Sequence, residues 1–68
     1  MNDFCKILFR LRKENKISQQ KLGGFIGVTQ QCISEWEKGN MEPTLSNLIK
    51  LADVFDVSID YLAGRKDF

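Results

Sequence analysis

Apolar residues along this chain recur three and four positions apart, and the gaps between them fall at residues that start or stop helices. Phe4, Leu8 and Leu11 share one face of a first helix predicted from about Asn2 or Asp3 to Lys13–Asn15, with Ile7 widening the stripe. Ser18 caps a second helix, Gln19 to about Ile26, in which Leu22 and Ile26 lie one turn apart. Gly27 can take the left-handed conformation that ends a helix and lets the chain turn sharply. Thr29 caps a third helix, Gln30 to Lys38, whose apolar positions are Ile33 and Trp36, with Val28 tucked in before the cap. Gly39 and Asn40 close it, and Pro43 helps to stop the loop that follows. Thr44 caps a fourth helix with a broad apolar face of Leu45, Leu48, Ile49, Ala52 and Phe55. Ser58 caps a short fifth, where Leu62 and Tyr61 pack and Gly64 ends the element. Residues 65–68 read as a frayed, flexible tail. No segment alternates as a strand would, and no repeat appears. The expected fold is all-α: one domain over 1–68, a compact bundle of five short helices. Leu11, Leu22, Ile33, Trp36, Leu48 and Leu62 should be its buried centre.

Composition narrows the chemistry. At 43% hydrophobic and 28% charged, the 68 residues suit a small globular core. No apolar run is long enough for a bilayer span and no signal-like segment appears, so no membrane partner is expected and the cytoplasm is the default location. Cys5 and Cys32 are expected as two buried thiols rather than a disulfide, and with no histidine they cannot complete a zinc site, so no metal is expected. The missing histidine also removes the commonest general base, and no Ser, Cys or Lys has an evident nucleophile partner. GGFIG at Gly23 to Gly27 lacks the Lys-Ser/Thr of a phosphate loop and follows no strand; it more simply makes a turn. Neither an enzyme nor a cofactor or small-molecule ligand is expected.

The net charge of +1 conceals a division. Residues 1–38 carry seven basic and four acidic side chains, net +3, whereas residues 39–68 carry three and five, net −2. Such a dipolar layout suits a protein that turns one face to phosphates, although a solvated helix surface would look the same. The third helix leaves Gln30, Gln31, Ser34 and Glu35 on its outer side near the N-terminal end, which is the face and end a recognition helix offers to the major groove.

The run SQQKLGGFIGVTQQCISEWEKG, Ser18 to Gly39, resembles the helix-turn-helix of the phage repressor/Cro-type family of bacterial and phage DNA-binding proteins, with the motif itself at 19–38. The likeness rests on Gln19, on apolar residues at Leu22, Ile26, Val28, Ile33 and Trp36, on Gly27, and on the TQQ and WEKG that open and close the third helix. EPTLSNLIKLADVFDVSIDYLAG, Glu42 to Gly64, resembles the family's fourth and fifth helices, so the likeness runs from about Lys6 to Gly64. It implies a lambda-repressor-like fold and a salt bridge between Arg12 and Glu37 that holds the recognition helix. It also implies that Gln19 donates to a backbone phosphate and braces Gln30.

Gln30 and Gln31 are then the best base readers, since a Gln amide can pair with adenine N7 and N6 together. Ser34 can reach a base or a phosphate. Glu35 departs from the Gln, Arg or Lys often found at its position; it either accepts from cytosine N4 or points away. Lys38 and Asn40, with Lys16, Lys21 and Thr29 flanking, are phosphate candidates. Proteins of this kind bind palindromic operators in double-stranded DNA as symmetric dimers, so a homodimer is expected at least on DNA, through Val57, Ile59 and Tyr61, with Phe68 extending the patch. Gly23 stands where the family has Ala, and with Gly24 it should make the second helix a soft spot. Phe25 looks outward, shielding the fourth helix or meeting another copy. The expected function is a sequence-specific transcriptional regulator, a repressor. The alternative is a helix-turn-helix module that binds protein, as an anti-repressor or an antitoxin does.

Overall fold

The computed structural model describes residues 3–65, and every regular element among them is a helix. In chain order these are α1 (Phe4–Glu14), α2 (Gln19–Ile26), α3 (Gln30–Lys38), α4 (Leu45–Phe55) and α5 (Ile59–Leu62). Asn2, named above as a start for α1, and the tail from 66 to 68 with Phe68 lie outside the described residues.

Hydroxyl caps set four of the five helix starts. The side-chain oxygens of Ser18, Thr29, Thr44 and Ser58 accept from the backbone N–H groups of Lys21, Cys32, Asn47 and Tyr61 at 3.0–3.2 Å. Each bond satisfies a donor that the first turn otherwise leaves unpaired, a contribution of roughly 1 kcal/mol apiece. Between α2 and α3, Gly27 takes φ +81°, and the N–H groups of Gly27 and Val28 both donate to the Gly23 carbonyl, at 2.8 and 2.9 Å. That turn lays α3 across α2.

The crossing is so close that a Cβ at Gly23 would stand 2.6 Å from the Val28 carbonyl oxygen, whereas one at Gly24 would meet nothing within 4 Å. The two glycines should therefore respond oppositely to the same change. Gly24→Ala is expected to raise stability by about 1 kcal/mol through helix propensity. Gly23→Ala gains the same propensity but must push the α3 entry aside, an overpacking cost of about 1–3 kcal/mol, and is expected to show no gain or a loss. Equal stabilisation in thermal melts of the two variants would contradict the close crossing.

The buried centre comprises Phe4, Leu8 and Leu11 of α1, Leu22 and Ile26 of α2, Ile33 and Trp36 of α3, Leu48, Leu51, Ala52 and Phe55 of α4, and Leu62 of α5. Phe4 and Trp36 meet edge to face at 6.4 Å between ring centroids, joining α1 to α3. All six residues named from the pattern as the centre are buried. The face of α4 needs correction. Leu45 is 68% exposed and Ile49 41%, while Leu51, absent from the expected stripe, is fully buried. The packed register is Leu48, Leu51, Ala52 and Phe55, spaced i, i+3, i+4 and i+7, which leaves Leu45 and Ile49 on its flank. Phe25 looks outward as expected and is 56% exposed. No helix among the described residues is long and apolar enough to cross a membrane.

Candidate nucleic-acid interface

Among the described residues one charged residue, Arg12, lies inside the core, and its environment organises the surface above it. Its Nε donates to Glu37 Oε2 at 2.6 Å and its Nη2 to Glu37 Oε1 at 2.9 Å, a two-pronged ion pair in which both side chains are nearly out of contact with water. Nη1 donates to the Ile17 carbonyl at 2.9 Å, so the guanidinium also pins the loop between α1 and α2. The Phe9 ring covers the group at 5.5 Å. The hydrogen bonds that Arg12 donates to Glu37 raise the Arg12 pKa above its usual value, and the carboxylate's charge adds to this; burial works in the opposite direction. The pair joins the last turn of α1 to the last turn of α3 and thereby fixes how α3 is presented.

Beside the pair runs an open groove lined by Arg12, Lys13, Lys16, Ile17, Ser18, Gln19, Gln20 and Gln30. Glu37 offsets the charge of Arg12, so Lys13 and Lys16 supply the net positive charge there. The first turns of α2 and α3 contain no acidic side chain, so nothing opposes the positive ends of the two helix dipoles. An anion lying in this groove would meet two lysines, the Ser18–Gln20 start of α2 and the amide of Gln30.

The site residues named from the sequence divide into groups. Lys16, Gln19 and Gln30 come together in the groove. Gln31 is exposed one residue further along α3, and Ser34 is half-buried one turn on. Lys21 and Lys38 are exposed but do not line the groove. The Thr29 hydroxyl accepts from Cys32 N–H as the cap of α3, and its own proton remains able to donate. Glu35 accepts from Asn40 Nδ2 at 2.9 Å, so these two named residues engage each other. Gln19 is not bonded to Gln30; its Nε2 donates to Glu37 Oε1 at 3.1 Å. Lys13, Ser18 and Gln20 belong to the groove and were not named as contacts. The signal for them was the spacing of Lys13 and Lys16 across the end of α1 and the position of Ser18 and Gln20 around the α2 cap.

On α5 and its approach, Val57 and Tyr61 line a second, apolar groove with Leu11 and Ser58, and Ile59 is 37% exposed. The Arg10 guanidinium lies 5.7 Å from the centroid of the Tyr61 ring. Neither cysteine is in a disulfide, and both are half-buried rather than buried as expected; burial pushes the Cys32 thiol up, which keeps it protonated at neutral pH.

The sequence pattern of the helix-turn-helix family matches residues 8–62, most of the chain. This protein is a member of that family. The uncharacterized HTH-type transcriptional regulator YobD of Bacillus subtilis (strain 168) is 34% identical over 64 residues, 94% of this chain and 57% of that protein. Repressor protein C2 of Salmonella phage P22 is 43% identical over 51 residues, 75% of this chain and 24% of the repressor. The crystal structure of the P22 c2 repressor with a synthetic operator superposes with a TM-score of 0.88 at 35% identity, covering 93% of this chain and 96% of that one. The chain spans about half the length of the first curated relatives it matches.

Proposed function

We propose that this chain is a sequence-specific double-stranded DNA-binding regulator of transcription, a repressor, acting in the cytoplasm without catalysis. The observation that carries the reading is the juxtaposition of exposed Gln30, at the start of α3, with a lysine-bearing groove formed by α1 and α2. In this reading α3 enters the major groove, Gln30 and Gln31 meet base edges and Ser34 reaches a base or phosphate. Phosphates lie along the groove against Lys13, Lys16, Ser18 and Gln19, with Thr29, Lys21, Lys38 and Asn40 at the flanks. The likeness to a repressor solved on an operator supports this mode. Two copies joined through Val57, Ile59 and Tyr61 would present two such helices to successive turns of a palindrome.

Mutation separates the two kinds of contact. Gln30→Ala and Gln31→Ala are expected to relax preference at single base pairs while leaving the fold intact. Lys16→Ala and Lys38→Ala are expected to weaken binding to all duplexes alike and to flatten the slope of log affinity against log salt by about one unit each. Fluorescence anisotropy over a salt series reads both effects. Lysine variants with the wild-type slope would remove those residues from the phosphate path. A folded wild-type chain without affinity for duplex at low salt would transfer the function to the protein-binding alternative.

A further inference from the structure

A phenylalanine on the outer side of α1 stands beside two cations. Phe9 is 47% exposed, and its ring centroid lies 5.5 Å from the Arg12 guanidinium carbon and 5.7 Å from the Lys13 ammonium. Both basic residues line the groove beside the buried ion pair. We propose that Phe9 is a positioning residue for Lys13, holding its ammonium ready for a DNA phosphate before the duplex arrives; the proposal rests on the DNA reading above.

A single exposed apolar side chain is ordinary on a protein surface. Spacing and neighbours set this one apart. Residues three and four positions on lie on the same side of a helix, which brings Arg12 and Lys13 to the Phe9 ring. Arg12 spends its in-plane donors on Glu37 and on the Ile17 carbonyl. Its guanidinium is thus fixed, and the flat, weakly hydrated face that remains stacks well on an aromatic ring. Arg12 thereby steadies the ring. Lys13 has no carboxylate partner among the described residues, whereas Arg10, next to Phe9, pairs with Glu14 at 3.8 Å. The Lys13 ammonium meets the negative face of the ring instead. A ring attracts a cation without consuming the donors that face away from it, so those N–H groups stay open to phosphate oxygens. A free lysine carries much rotamer freedom, and losing it on contact with DNA weakens binding. A ring that already restricts Lys13 removes part of that loss. Phe9 therefore raises affinity for every duplex alike without touching the nucleic acid.

Two measurements test this, one of them without DNA. In the NMR spectrum of the free full chain, the Cε protons of Lys13 are expected upfield of those of Lys16, shifted by the Phe9 ring current, and to return to the Lys16 position in Phe9→Leu. Equal shifts for the two lysines in the wild-type chain would overturn the proposal. The second measurement follows fluorescence anisotropy over a salt series, on a duplex site selected by the wild-type chain and on an unrelated duplex. Phe9→Leu keeps an apolar cover beside Arg12 and removes the aromatic face. It is expected to bind both duplexes about three- to fivefold more weakly at the wild-type salt slope, because the Lys13 charge is still present. In a Lys13→Ala background, where the slope is flatter by about one unit, Phe9→Leu is expected to cost nothing further. A loss as large without Lys13 as with it would confine Phe9 to the packing of Arg12 and overturn the proposal, as would undiminished affinity in Phe9→Leu. If Phe9→Leu does not fold, Phe9→Trp decides: its stronger face is expected to raise affinity about twofold, and no rise would overturn the proposal. A wild-type chain that selects no duplex overturns the DNA reading itself, and the Lys13 shift shows separately whether the ring holds the ammonium.

Discussion

Replacing Glu37 with alanine is expected to lower folding free energy by about 3–5 kcal/mol, the usual penalty for stranding one partner of a buried ion pair. Domains of this size hold little more than that in total, so much of the variant should be unfolded at room temperature. The cause is specific. Without Glu37, the Arg12 guanidinium keeps the Ile17 carbonyl but loses both carboxylate oxygens at a site where it is only 7% exposed. The pair itself need not be strongly stabilising, since its attraction has to offset the desolvation of two charges. The double variant Arg12→Met with Glu37→Leu is therefore expected to recover most of the lost stability. Urea unfolding followed by circular dichroism measures both. A Glu37→Ala midpoint close to wild type would mean that water reaches the guanidinium.

Leu22→Ala is the second large effect, at about 2–5 kcal/mol. Leu22 is fully buried on α2, the helix against which α3 packs most closely, and Gly23 beside it already brings the two backbones together. Little room remains for collapse around the lost side chain, which places the expectation toward the upper part of that range. Leu45→Ala on the exposed flank of α4 supplies the contrast, with a change within about 0.5 kcal/mol. Comparable losses in the two variants would mean that α4 is rotated from the register described.

Local chemistry made most of the fold legible. Ser18, Thr29, Thr44 and Ser58 start helices because a short hydroxyl side chain reaches the N–H three residues on, and that relation is written in the sequence alone. The register of α4 was harder, because seven of its eleven residues are apolar on several faces, and contact with α2 and α5 decides that Leu51 goes in and Leu45 stays out. Periodicity would never have placed Arg12 in the core; family resemblance paired it with Glu37. At the interface, the outward face of α3 and its neighbouring lysines were readable from spacing. The Glu35–Asn40 and Gln19–Glu37 bonds were not, since they depend on how side chains turn once the helices are docked.

The central claim is that α3 reads duplex DNA, and selection of bound sequences from a random duplex pool tests it most directly. Two recognition helices on a symmetric dimer predict an enriched palindrome whose half-sites are centred about 34 Å apart, one helical turn. Gln30 and Gln31 predict A·T pairs within each half-site that become interchangeable in the Gln30→Ala and Gln31→Ala proteins. Recovery of an unenriched pool from folded wild-type protein at low salt would contradict the account.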